Sequence, residues 1–192
     1  MNKKQLKKSM KFSFSIAVIT FVLAAIFSVV SSSILGGVMS IVGLLIVFLI
    51  VLIGVIFDTL GIAATAADEV PFHAMAAERV TGSKHAILIV RNADRFASFC
   101  NDVIGDISGI ISGTASAIVV LQIANGFGHG EGSIYYIIIN VTLTSLVAAL
   151  TVGGKAMGKF LAITSSTKII FFVGKIIAFL EEKLKIKVLS KS

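Results

Sequence analysis

The chain has 192 residues, 56% of them hydrophobic and only 14% charged, against about 25% charged in an average soluble domain. One membrane domain is the economical reading of that composition. The net charge of +7 does not mark nucleic-acid binding, because the basic residues flank apolar runs instead of interleaving with aromatics on a polar face; attraction to anionic inner-leaflet lipid accounts for them.

Five lysines lie in Lys3 to Lys11, ahead of the uncharged run Phe12 to Val30. A basic start before an apolar run imitates a secretory signal peptide. The run exceeds the usual h-region, however, and a second full run, Val38 to Phe57, follows after a short turn, so the expectation is a retained helical hairpin. Its turn is predicted at Ser31-Ser32-Ser33 through Gly36-Gly37, residues that interrupt helices.

From Asp58 to Ala97 charges are scattered among apolar residues, as expected of a polar link. Pro71, the single proline, follows an acidic pair and fits the first turn of a helix, where its missing N–H is not needed. Ala86 to Phe99 has helical periodicity and predicts an interfacial helix entering the third span. The single cysteine, Cys100, excludes an intrachain disulfide and reads as a small packing residue.

The third span, about Asn101 to Ile123, carries two ridges of small residues. Gly105, Gly109 and Gly113 recur every fourth position, as do Ser108, Ser112 and Ser116. Residues at i and i+4 share a face, so the ridges predict close helix packing, and the hydroxyls and carbonyls of such a face also suit a hard cation. Asp106 lies ~16 Å along the helix from Arg95. An ionised carboxylate at that depth costs at least ~2.5–3.5 kcal/mol unless paired, protonated or metal-bound. Asp106 is therefore a candidate for an ion path or a metal ligand, against the plainer reading of a protonated acid bonded to a serine.

The fourth span, about Ile134 to Val152, ends in Gly153-Gly154-Lys155. Lys155 either snorkels to the interface or faces inward. The later apolar stretch Ile169 to Leu180 is a poor fifth span, because crossing would bury Lys175 and export Lys183, Lys185, Lys187 and Lys191. Lys168 and Lys175 share a helical face, as an amphipathic helix on the inner leaflet requires.

The 17 basic residues group as five in Lys3 to Lys11, four in Arg79 to Arg95 and eight in Lys155 to Lys191, with none in Ser31 to Gly37 or Ala124 to Ser133. Positive charge stays cytoplasmic. Four spans of an all-α integral protein of the plasma membrane follow, with cytoplasmic linker helices, an amphipathic C-terminal helix and both termini cytoplasmic.

Two motifs in this order resemble the transmembrane domain of the CNNM (cyclin-M) and CorB/CorC magnesium transporter family. Ile104-Gly105-Asp106 looks like the family's Ile-Gly-Asn. Gly154-Lys155-Ala156-Met157-Gly158-Lys159-Phe160-Leu161-Ala162 looks like its Gly-Glu-x-x-Pro-Lys-x-x-Ala. The resemblance divides the chain into a basic start and additional hairpin segment (1–50), a CNNM-like domain (51–180) with link 58–97 and juxtamembrane helix 160–180, and a basic tail (181–192). It implies a homodimer that transports or binds Mg2+ or another cation.

Two departures bear on that implication. Asp106 replaces the family's asparagine, and Lys155 replaces a glutamate that helps hold dehydrated magnesium. An ammonium there repels a divalent ion, and Lys155 is expected to pair with Asp106, while Asp58 corresponds loosely to an acidic position of the family. The family's cytoplasmic CBS pair has no counterpart before Ser192, so the expectation is a reduced relative.

No phosphate loop, Cys/His metal spacing or serine elbow points to an enzyme. His73 and His85 fall in the link, and His129 with Glu131 in an outer loop reads as solvated. The competing expectation is a non-transporting membrane scaffold or regulatory partner that keeps the fold without ion chemistry.

Overall fold

The computed structural model describes residues 3–128 and 132–184, all of whose regular elements are helical. In chain order they are α1 (Lys3–Gly36), α2 (Ser40–Ala66), α3 (Val70–Ala77), α4 (Ser83–Arg91), α5 (Ala93–Ser98), a π-helical segment (Phe99–Gly105), α6 (Asp106–Gly126), α7 (Ile134–Thr164) and α8 (Ser166–Leu184). Four stretches are long and apolar enough to cross a membrane: Met10–Gly36, Ser40–Ala66, Ala93–Gly126 and Ile134–Thr164. They leave Phe14, Phe21, Ile41 and Val152 largely exposed, a surface that lipid covers and water does not. The protein is thus an all-α, multi-pass membrane protein.

Helix ends differ from the sequence expectation for identifiable reasons. The serines at 31–33 do not end α1; the Ser33 hydroxyl donates to the Val29 carbonyl at 2.8 Å, so the polar side chain is satisfied inside the helix. The break comes after Gly36. The Gln122 side-chain amide donates to the Leu35 carbonyl at 2.6 Å, satisfying one of the last-turn acceptors that a helix end leaves open. Pro71 does fall in the first turn of α3. The periodic stretch from Ala86 is interrupted at Asn92, whose side-chain amide donates to the Leu88 carbonyl at 2.9 Å, and a second short helix begins at Ala93.

By their internal contacts the residues form two compact units. The first comprises Met1–Val55 and Val103–Gly154. In it Leu35, Val47, Ala115 and Val119 form one buried cluster, and Val103, Ile107 and Ile111 form another against Ile16, Leu23 and Ala24 of α1. Close backbone approach needs glycine here: a β-carbon on Gly54 would lie 2.9 Å from that of Ser108, and one on Gly154 would lie 2.9 Å from Val55 Cγ2.

The second unit comprises Ile56–Asp102 and Lys155–Ser192. Phe72, Ile89 and Ile170 are its largest fully buried side chains, packed with Ala63, Ala64, Ala86 and Ala162. Full burial of such an apolar side chain contributes ~1.5–3 kcal/mol. Helix α3 closes with Arg79 at φ 59°. The Val80 N–H reaches the Met75 carbonyl at 2.9 Å, and that of Arg79 reaches Ala76 at 3.1 Å. These two bonds make a Schellman termination, in which the left-handed position is usually glycine.

Candidate functional site

In an apolar helix such as α2, whose backbone bonds are made internally, a lone carboxylate is the group that needs an outside partner. Asp58 finds one in Lys155 of α7. The ammonium nitrogen stands 3.5 Å from Asp58 Oδ1, and the two side chains are 28% and 16% exposed. At that separation the contact is an ion pair, longer than the ~2.7–2.9 Å of a tight charge-assisted hydrogen bond. Both residues belong to the second unit.

One turn along α2 from Asp58 is Gly61, and Asn101 of the π-helical segment lies directly on it. A β-carbon at Gly61 would collide with the Asn101 carboxamide. The segment Phe99–Gly105 makes this possible, because a π-turn widens the helix by a residue and re-aims its side chains. Asn101 Oδ1 is buried and has no hydrogen-bond partner among the described residues. Positions 58 and 61 share a face of α2 and are ~4.5 Å apart along its axis. The acid with its ammonium and the unsatisfied amide oxygen therefore contact α2 about one helical turn apart.

Carboxylate and amide oxygens are the donors a hard cation takes. Among the described residues no group of three or more His, Cys, Asp or Glu side chains could hold a metal ion. The ammonium already supplies one positive charge beside Asp58, so a divalent ion would have to displace it.

The remaining sequence-predicted residues lie in the first unit. Asp106 opens α6 with an exposed side chain, ~20 Å along the axis from Ala93 and ~30 Å from Gly126. Ser108 and Ser112 are buried at 7% and 2% exposure. The Ser112 hydroxyl donates to the Gly109 carbonyl at 2.9 Å, and that of Ser116 to the Ser112 carbonyl at 2.7 Å, which turns the serine ridge toward packing within its unit. Gly109 and Gly113 face open space. Gly105 is buried at the join of the π-segment and α6, its carbonyl facing Gly54.

Outside the spans, Glu69 accepts from Arg91 Nε at 2.6 Å and pairs with His73 Nε2 at 2.7 Å. The Arg91 hydrogen bond, then that of His73, holds the Glu69 carboxyl below its ordinary 4.5. His85 Nε2 lies 3.0 Å from Glu181 Oε2, tying α4 to α8. Cys100 is a free, buried thiol. His129 and Glu131 lie outside the described residues, as do Lys185, Lys187 and Lys191.

Sequence reasoning missed Asn101, which it used only as a span boundary. The signal was a polar amide beside a glycine-containing motif in an apolar segment. It also missed the Glu69–Arg91 bond, which spans 22 positions. Comparison with family models, characterised proteins and solved structures returned no match.

Proposed function

We propose that the protein is a cation-handling membrane protein, a divergent relative of the CNNM/CorC transporters, in which Asp58 supplies the cation-binding carboxylate and the Lys155 ammonium is its tethered competitor. The reading rests on one observation: an ammonium 3.5 Å from Asp58, with the Asn101 oxygen, which has no hydrogen-bond partner among the described residues, over Gly61 one turn along α2. An incoming cation exchanges with the ammonium at the carboxylate. Because the competitor carries a single charge, the exchange suits a monovalent ion, and Mg2+ gains access when Lys155 withdraws or is neutralised. Asp106, in the first unit, is a further candidate carboxylate for the ion.

The surrounding organisation follows the charge distribution. Both termini and the link between the second and third spans are cytoplasmic, and α8 lies on the inner leaflet with Lys168 and Lys175 exposed. The open ridge of Gly109 and Gly113 is where a second copy docks as a homodimer.

Ion flux into liposomes containing the purified full chain tests the reading. Sodium or magnesium flux falls in Asp58→Asn and in Asp106→Ala, and magnesium flux rises in Lys155→Met. Absence of flux in the native chain and in Lys155→Met would overturn it.

A second reading is favoured by the same ion pair: a salt bridge that closes the acid permanently makes the protein a non-transporting scaffold or regulatory partner. In that case no variant conducts, and Asp58→Asn and Lys155→Met lower only thermal stability.

A further inference from the structure

Between the end of α3 and the start of α4 the second unit has a half-open pocket of about 470 Å³, within the ~300–1,000 Å³ range of small-ligand sites. Its walls carry Arg79, Lys84 and His85 together with Thr81 and with Ser83, whose hydroxyl donates to the Val80 carbonyl at 2.6 Å, and Ala178 of α8 lines one side. Among the described residues no carboxylate lines it. Glu181 of α8 holds His85 Nε2 at 3.0 Å, while Nδ1 of the same ring is buried and has no hydrogen-bond partner among the described residues.

We propose that this cavity binds a phosphate group, carried on an anionic lipid headgroup or free in solution. Arg79 and Lys84 both line this concavity, which no carboxylate among the described residues lines, so an anion entering it meets two cationic side chains. The guanidinium of Arg79 offers paired donors that match phosphate oxygens, and Lys84 adds a point charge. The cavity adjoins α8, which presents Lys175 and Lys183 beside exposed Phe172, Ile176 and Phe179, a combination suited to the headgroup level of a bilayer. The site is separate from Asp58 and independent of any ion flux.

Arg79 makes the idea testable without wrecking the fold. It occupies a left-handed backbone position, φ 59°, where glycine is the preferred residue. Arg79→Gly therefore keeps or raises thermal stability while removing the guanidinium. The full chain in detergent would be titrated with inorganic phosphate, and the full chain in nanodiscs of phosphatidylcholine, with or without phosphatidic acid, would be assayed for retained lipid by native mass spectrometry.

Binding is expected to weaken about tenfold or more in Arg79→Gly, as loss of a hydrogen bond to a charged group implies, and to fall similarly in Lys84→Gln. Retention of phosphatidic acid without affinity for inorganic phosphate assigns the site to a lipid headgroup; tight inorganic phosphate binding assigns it to a soluble ligand. Arg79→Gly that binds as the native chain does, or a native chain that binds neither probe, overturns the proposal.

Discussion

Gly82 and Gly174 meet backbone to backbone: a β-carbon on Gly174 would lie 2.5 Å from the Gly82 carbonyl oxygen, and one on Gly82 would lie 2.7 Å from the Lys175 amide nitrogen. Neither neighbour is the movable end of a side chain. Gly174→Ala must therefore separate α4 from α8, and overpacking of this kind typically costs ~1–3 kcal/mol. Gly153 of α7 is the control within the first unit, because an added β-carbon there meets nothing within 4 Å. Thermal unfolding in detergent should rank Gly174→Ala well below Gly153→Ala. Equal midpoints would mean that the α4–α8 contact yields without cost.

Asp58 and Lys155 are each partly buried, so removing one takes from the other the opposite charge 3.5 Å away. Single substitutions Asp58→Asn and Lys155→Met should each destabilise the protein, and the double substitution should lose less than the sum of the two. Pairs in direct contact typically couple by ~0.5–3 kcal/mol. A double-mutant cycle on unfolding measures this. Additive losses would show that the two groups do not interact in the membrane.

Glu69 gives a pH dependence whose sign follows from its environment. Arg91, then His73, lowers its folded pKa below 4.5. The contribution to stability is therefore fully present above 4.5 and is lost as pH falls through the folded value. Acidification below pH 4.5 should loosen the start of α3, and Glu69→Gln should flatten that response. Hydrogen exchange at the amides of residues 70–77 between pH 3 and pH 6, with rates corrected for intrinsic exchange, is the measurement; identical profiles in both proteins would remove Glu69 from the account.

What was legible beforehand, and what was not, separates along physical lines. The four spans were readable because a run of apolar residues long enough to cross a bilayer needs no knowledge of its neighbours. The end of α1 was not, since serines that break a helix in water can bond back to their own carbonyls, as Ser33 does. The π-helical segment has no sequence period of its own, so Asn101 could be seen but its placement over Gly61 could not. Asp58 and Lys155 were each conspicuous as charges in apolar surroundings. Which groups would meet is a tertiary fact, and Lys155 stands 3.5 Å from Asp58.

The two small-residue ridges of α6 make the last prediction, because they differ in what already covers them. Ser108, Ser112 and Ser116 are buried within the chain, whereas β-carbons at Gly109 and Gly113 would touch nothing within 4 Å. A bulky residue on the glycine ridge should leave the single chain folded and act only on association. Gly109→Leu is expected to retain helicity and thermal midpoint but lose crosslinked dimer in the membrane. Gly54→Leu, which drives carbon into Ser108, should instead lower the midpoint of the single chain. Full crosslinking by Gly109→Leu would remove this ridge from the proposed homodimer, and a collapsed midpoint in the same variant would show that something within the chain occupies the ridge after all.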